Sequence, residues 1–428
     1  MSPRISSRGR GSTGSRGVKD AEITEGGYNG EMRSIRGRVC WPISPDRAVL
    51  LEDGVVEPGL REPRPARAGD PDPVEGVIVP AFADWHFHWV QAGIAGRADS
   101  DLLTWLRTVA WPEEVRLADP AARSDALDGA LRQLSDAGTL AGSAYGSPQL
   151  ASAIEFLAVA PAAFLCGPAV MTHGPPDELV SPLPALPNAP ALRKRFVVTP
   201  RFALSCTAED LAELGRRAAE WGTVVQTHLS ENPAEVAEVT RRFPSARDYT
   251  DVYDRAGLLG PRTLLGHVIH VSDRELERIA AAGAIAVHCP TSNRALGSGR
   301  MPLERLREHG VRWTLGSDVG AGPHFCMLDV MAEALRQHAE FAPIASTELW
   351  HRASLSAIAL FGGGSERAVT CGERPGVLVV EEPRGGASAT APEPWIDAWV
   401  ARWSRGAGHG IVRRHSWAHS WAHQPPHQ

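Results

Sequence analysis

Val77-Ile78-Val79-Pro80-Ala81-Phe82-Ala83-Asp84-Trp85-His86-Phe87-His88 is an apolar run of β type that leads into a His-x-His pair. Residues i and i+2 of a strand point to the same side, so two imidazoles at a strand end can converge on one metal ion. Alone, the pair is weak evidence, because surface histidines fall at this spacing by chance. Three further segments of the same build follow in order: Gln226-Thr227-His228-Leu229-Ser230-Glu231, Leu265-Gly266-His267 and Leu315-Gly316-Ser317-Asp318. Each closes a short apolar segment on a metal-type ligand. Any one of these residues alone is more often structural; four such clusters in one chain are not explained by chance matches.

The segments between them set the architecture. Strands are expected at Val79–Ala83, Thr139–Tyr145, Ala163–Val170, Phe196–Phe202, Thr223–Thr227, Thr263–Gly266, Ala284–Cys289 and Arg312–Gly316. Helical patterns lie between them, such as Ala208–Glu220 with Leu211, Leu214 and Ala218 on one face, and Asp273–Ala282 stopped by Gly283. Eight strands alternating with helices predict an α/β fold, a (β/α)8 TIM-like barrel over 77–361. The Pro- and Gly-rich flanks, 31–76 and 366–384, carry short β-type pieces and are expected to pair into a small β-domain. Residues 1–30, rich in Ser, Gly and Arg without an apolar core, read as a disordered leader. Over 385–428, Trp395, Trp399 and Trp403 recur at i, i+4 and suggest a docking helix; a His- and Trp-rich tail follows and reads as disordered.

Composition removes several classes of function. Among 428 residues, 44 Lys and Arg face 50 Asp and Glu, a net charge of −6. This balance leaves no basic footprint for nucleic acid and no polybasic membrane patch. The stretch Leu150–Met171 is broken by Glu155, Pro161 and Pro168, and reads as a buried helix followed by a barrel strand. The six cysteines are scattered without a Cys-x-x-Cys, which suits a reducing cytoplasm.

Active groups of a (β/α)8 barrel gather at the C-terminal strand ends. His86, His88, His228 and Asp318 then form a mononuclear site suited to Zn2+, one per chain, with water in the remaining position. The metal lowers the pKa of that water and supplies hydroxide near neutrality. Glu231, three residues after His228, is placed to carry protons as general acid and base. His267 is either a further ligand or a hydrogen-bond partner of the hydroxide, and spacing does not decide between these roles. Asp318 can ligate and also accept a proton from the water.

At these residues the chain resembles the amidohydrolase superfamily and, within it, the guanine deaminases. The closer likeness rests on Thr199-Pro200-Arg201-Phe202-Ala203-Leu204-Ser205-Cys206, Thr227-His228-Leu229-Ser230-Glu231-Asn232, His288-Cys289-Pro290-Thr291-Ser292-Asn293, Gly316-Ser317-Asp318-Val319-Gly320-Ala321-Gly322, Met327-Leu328-Asp329 and Thr104-Trp105-Leu106-Arg107. It runs from about Val77 to Phe361. The resemblance implies that His86, His88, His228 and Asp318 hold Zn2+, that Glu231 shuttles protons with His267 assisting at the water, and that Gln91, Arg201 and Phe202 bind a purine together with Glu231. The implied reaction is hydrolytic deamination of guanine to xanthine and ammonia, by a homodimer. A guanidinium suits a ring carbonyl and an aromatic face suits a heterocycle.

The chain departs from the family pattern at Met171-Thr172-His173-Gly174, where a Met-Asp-x-Asn string is usual, at Pro168 or Ala169, where a lysine is usual, and at Pro375-Gly376-Val377-Leu378. The departure at Thr172–Gly174 motivates an alternative substrate: a modified purine, azapurine, pterin or other aminated heterocycle. A third reading is a silent scaffold relative, which the complete set of ligands disfavours.

Overall fold

The computed structural model describes residues 34–57, 62–98, 100–354, 376–382, 390–403 and 411–415. The expected leader, the end of the expected barrel from 355 to 361, Cys371, Trp403's side chain and the His- and Trp-rich tail from 416 on lie outside what it describes. The first four strands are β1 (Ile35–Ser44), β2 (Arg47–Val56), β3 (Arg64–Pro65) and β4 (Pro73–Pro80). Eight more alternate with helices: β5 (Phe82–His88), β6 (Thr139–Gly146), β7 (Phe164–Pro168), β8 (Val197–Val198), β9 (Val224–Leu229), β10 (Thr263–His267), β11 (Ile285–His288) and β12 (Arg312–Leu315). Two follow, β13 (Val377–Val380) and β14 (Ile411–His415).

These strands form three sheets. One is six-stranded, in the order β14-β13-β4-β1-β2-β3, and joins N-terminal and C-terminal segments. The other two are parallel: β5-β6-β7, and β12-β11-β10-β9-β8. Parallel bridges Cys166↔Phe196 and Val170↔Pro200 link β7 to the segment around β8. Beyond the strand ends, Asp318 N–H donates to His86 O at 2.7 Å and His88 N–H to Val319 O at 3.2 Å. Side chains from β5 through β11, among them Trp85, Leu165, Val197, Val224, Leu264 and Ile285, pack into one buried cluster.

Every expected strand of the α/β pattern is present, with two differences. The run expected as one strand, Val79–Ala83, is two. Val77–Pro80 ends β4, which pairs with β1 and β13, whereas β5 starts at Phe82 and contains both histidines. The chain changes sheet at Ala81, whose N–H goes to Gly376 O, while Phe82 N–H goes to Gly138 O. All of Val77–His88 is buried, so no alternation in the sequence marks the switch. The expected strand Phe196–Phe202 shrinks to two residues plus bridges, since Pro200 has no N–H for a ladder. Within 385–428, Ile411–His415 is an edge strand that the helix-then-tail reading did not include.

The helices follow their local signals. In Asp273–Ala282 the N-cap is Ser272, and Glu275 closes a capping box, worth about 1 kcal/mol. Gly283 ends it at φ 68°. The Trp helix is Pro392–Trp403; Trp395 and Trp399 are buried, with Trp399 stacked 5.7 Å from Phe82 and meeting Trp350 edge-on at 5.3 Å. Trp85 and Trp89 are core residues, Trp89 stacking 6.1 Å from Phe156. No helix among the described residues is long and apolar enough to cross a membrane.

A buried histidine pair gives the fold an acid-sensitive contact. Arg300 Nη1 donates to His338 Nδ1 at 3.3 Å, so His338 carries its hydrogen on Nε2 and donates to His288 Nε2 at 3.1 Å. Burial, then the nearby Arg300, lowers His338 from 6.5 to about 4; burial also lowers His288. Both folded-state values lie below the unfolded one, so the folded state binds fewer protons. The pair's contribution is complete above about pH 6.5 and is lost as pH falls through about 4. His338→Gln is therefore expected to flatten the acid limb of a plot of Tm against pH. Parallel curves for variant and wild type would remove the pair as the cause.

Candidate active site

The ends of β5, β9, β10 and β12 bring the expected ligands together. His86 Nε2 and His88 Nε2 each lie 3.2 Å from His228 Nε2, and each lies 3.5 Å from Asp318 Oδ1. Two Zn–N bonds of about 2.0–2.1 Å, opened to a tetrahedral angle, set their nitrogens about 3.3 Å apart. The observed spacings match the edges of such a tetrahedron. His86, His228, His267 and Asp318 also form a group whose ligand atoms lie within 4.8 Å of one another.

Local chemistry prepares these atoms as ligands. Burial lowers the pKa of His86, His88 and His228, keeping them neutral with a lone pair available. His228 Nδ1–H donates to Arg201 O at 2.6 Å, which aims Nε2 at the cluster. Burial opposes ionisation of Asp318, but the neighbouring imidazoles of His86, His267 and His88 hold its carboxyl well below the usual range. Asp84, also buried, accepts from Ser317 N at 2.9 Å, from Ser317 Oγ and from His86 N at 3.2 Å, and so ties β5 to the loop after β12. Burial pushes the Asp84 carboxyl up to about 7. Tyr145, fully buried, stacks 4.5 Å from the His88 ring.

The two glycines in the quoted strings have a spatial reason. A Cβ on Gly266 would come 2.5 Å from His86 Cε1, and one on Gly316 would come 2.6 Å from His86 Cβ. The His86 ring fills the space that both leave open. Among the described residues, left-handed backbone at non-glycine positions is confined to this region: Ser230, His267, Val268 and Asp318, with φ of 49–71°. Such conformations cost free energy and cluster at functional sites.

Glu231 lies one residue before the N-cap Asn232 of helix Pro233–Arg242. It is 2% exposed, accepts from Ser298 Oγ at 2.9 Å, and its other oxygen is 3.4 Å from His267 Nε2. Burial, aided by the Asp318 charge and opposed by His267, pushes it up to about 7. His267 donates from Nδ1 to Asn293 Oδ1 at 2.8 Å, so Nε2 faces the acid. Burial alone would lower its pKa, but Glu231 and Asp318 outweigh that and raise it. His267 Nε2 is nearer Glu231 than Asp318, at 3.4 against 3.9 Å.

A pocket opens over this cluster. Its walls include His88, Gln91, Arg201, Phe202, His228, Glu231 and Asp318, with Leu102, Trp105, Leu106 and Leu296 as an apolar side. All the expected purine-binding residues therefore share one cavity with the expected ligands His88, His228 and Asp318. Thr172–Gly174 does not line it. Thr172 N–H instead bonds Ser205 O at 2.8 Å, and its hydroxyl bonds Asp210 at 2.6 Å. The one feature that motivated a different substrate is thus turned away from the pocket.

Sequence reasoning missed Glu114. It is fully buried and accepts from Gln91 Nε2 at 2.6 Å and Arg201 Nη1 at 2.7 Å. A signal was present: Leu102, Leu106, Ala110 and Glu114 recur every four residues, which puts a carboxylate on an apolar stripe. Glu235, which lines the pocket and holds Glu231 N–H at 2.9 Å, was missed as well.

Comparison with known proteins agrees with this geometry. The chain is 38% identical over 266 residues to a probable guanine deaminase of Deinococcus radiodurans, covering 59% of this chain and 61% of that protein. It is 31% identical over 273 residues to the guanine deaminase of Escherichia coli K12, covering 61% and 62%. The matches thus span about three-fifths of the length of these curated relatives. Among solved structures, guanine deaminase from C. acetobutylicum with bound guanine superposes with a TM-score of 0.79 at 24% identity, covering 90% of this chain and 99% of that one. At that identity the likeness bears on the fold. The model of the amidohydrolase family matches residues 77–350, the span that carries all five ligand-type residues and Glu231, and this chain belongs to the amidohydrolase family.

Proposed function

We propose that this protein is a zinc-dependent guanine deaminase, converting guanine and water to xanthine and ammonia. The observation that carries this reading is one cavity lined both by His88, His228 and Asp318 of the His and Asp cluster and by the purine-type set Gln91, Arg201 and Phe202. The parallel strands β5 to β12 are read as one closed (β/α)8 barrel, and the six-stranded sheet as a small β-domain of the flanks. His86, His88, His228 and Asp318 would hold one Zn2+, which the neutral, convergent imidazoles fit. A divalent ion there lowers the pKa of a coordinated water from about 15.7 toward about 7.

The protein groups supply the rest. Arg201 donates to the 6-oxo oxygen, Phe202 offers an apolar ring to the heterocycle, and Gln91 meets the ring edge. Water adds to C2 of guanine. Glu231 takes one proton from that water and delivers it to a ring nitrogen, then takes the second from the new C2 hydroxyl and delivers it to the amine, so that the C2–N bond breaks, the C2 carbonyl forms and ammonia leaves. Its raised pKa and its contact with Ser298 suit a group that must be both acceptor and donor. His267, held by Asn293, orients the water beside Glu231.

Zinc-loaded protein incubated with guanine is expected to release ammonia with the ultraviolet change of guanine to xanthine. Zinc-bound protein that leaves guanine intact would reject guanine as the substrate.

A further inference from the structure

Glu114 has no role in the reading so far, yet it is the only acid that touches both polar purine-binding side chains among the described residues. One oxygen, Oε1, accepts from Gln91 and from Arg201, which lies 87 residues away in the chain. The other, Oε2, is buried with no hydrogen-bond partner. The helix that carries Glu114, Trp111–Arg116, follows a π turn, Leu106–Ala110, and the same segment places Leu102, Trp105 and Leu106 in the pocket wall.

Two consequences follow from the chemistry of a carboxylate. An ionised carboxylate only accepts, so the Gln91 amide must turn its Nε2 toward Glu114, which leaves Oε1 as the atom offered elsewhere. That oxygen points where a Gly320 side chain would be: a Cβ there would lie 2.0 Å from it. The second consequence is charge. Arg201 and Glu114 form an ion pair at 2.7 Å, with 3% and 0% of their side chains exposed. The guanidinium reaches the pocket with its charge already balanced and its remaining N–H groups free of other partners among the described residues.

We propose that Glu114 is a positioning and specificity-determining residue: it fixes Gln91 as an acceptor and neutralises Arg201, so that the pocket takes a neutral heterocycle bearing a ring N–H beside a carbonyl and discriminates against anions. This rests on the guanine deaminase reading for its substrate but not for its test. An uncompensated Arg201 in the same cavity would instead attract an anion, since a buried charge without a partner is costly.

The test uses full-length, zinc-loaded wild type, Glu114→Gln, Glu114→Asp and the double variant Glu114→Gln/Arg201→Gln. The probes are guanine turnover and calorimetric binding of xanthine, in mildly acidic buffer where it is neutral and in mildly alkaline buffer where it is a monoanion. Glu114→Gln is expected to raise KM for guanine about 10- to 100-fold, with a smaller change in kcat and unchanged zinc content. Its anion-to-neutral affinity ratio for xanthine should rise about tenfold or more relative to wild type, which cancels titrations common to both proteins. Glu114→Asp should keep the wild-type ratio, and the double variant should restore it. These two carry the test if Glu114→Gln does not fold. An unchanged ratio in Glu114→Gln, a changed one in Glu114→Asp, a double variant that does not return to it, or a wild type that binds neither form would overturn the assignment. Wild type that binds neutral xanthine but leaves guanine intact would count against the substrate while the ratio still decides Glu114.

Discussion

Glu231→Gln is expected to keep full metal content and lose turnover by about 10³-fold or more, within or beyond the range for loss of a general acid–base group. The substitution is nearly isosteric. A Gln carbonyl can still accept from Ser298 Oγ, so the loop between β9 and helix Pro233–Arg242 has no reason to move. The backbone of residue 231 is held independently, through its N–H to Glu235 and through the capping of the helix by Asn232. What the amide cannot do is take a proton from water and give it to a nitrogen. The measurement is kcat by ammonia release together with metal content by mass spectrometry. A variant that retained kcat within about tenfold would transfer the proton-carrying role to another group.

The second large effect is expected at His228. Its Nε2 stands 3.2 Å from both His86 and His88, and its Nδ1 holds Arg201 O, so it joins the two halves of the candidate site. His228→Ala removes an expected ligand, takes from Arg201 O its shortest donor while the residue 228 N–H and Thr227 Oγ1 remain, and opens space between β5 and β10. Zinc affinity should fall by more than about 100-fold, the upper range for loss of an outer partner alone. Activity should fall below detection. Wild type stripped by a chelator should recover on addition of zinc, whereas His228→Ala should not. A variant that kept stoichiometric zinc and turnover would exclude His228 from the ligand set.

Both predictions concern residues legible from the sequence, because local rules sufficed to find them. His86 and His88 share a strand face by the two-residue repeat. His228, His267 and Asp318 each end an apolar segment in an alternating β and α order, which in this architecture places them at one rim. The glycines before His267 and Ser317 were visible as part of their strings, though their purpose, room for the His86 ring, was not.

The sequence by itself determined the succession of strands and helices and the six residues of the metal-type and acid cluster. All of these depend on periodicity, residue type and short spacing. The tertiary structure alone decided where the chain changes sheet, since Val77–His88 is buried throughout and has no polar alternation to mark Ala81. It alone turned Thr172–Gly174 away from the pocket, through contacts with Ser205 and Asp210. It alone joined Glu114 to Gln91 and Arg201. A buried carboxylate is stable only with partners, and partners brought from distant segments by packing leave no periodic trace in the chain.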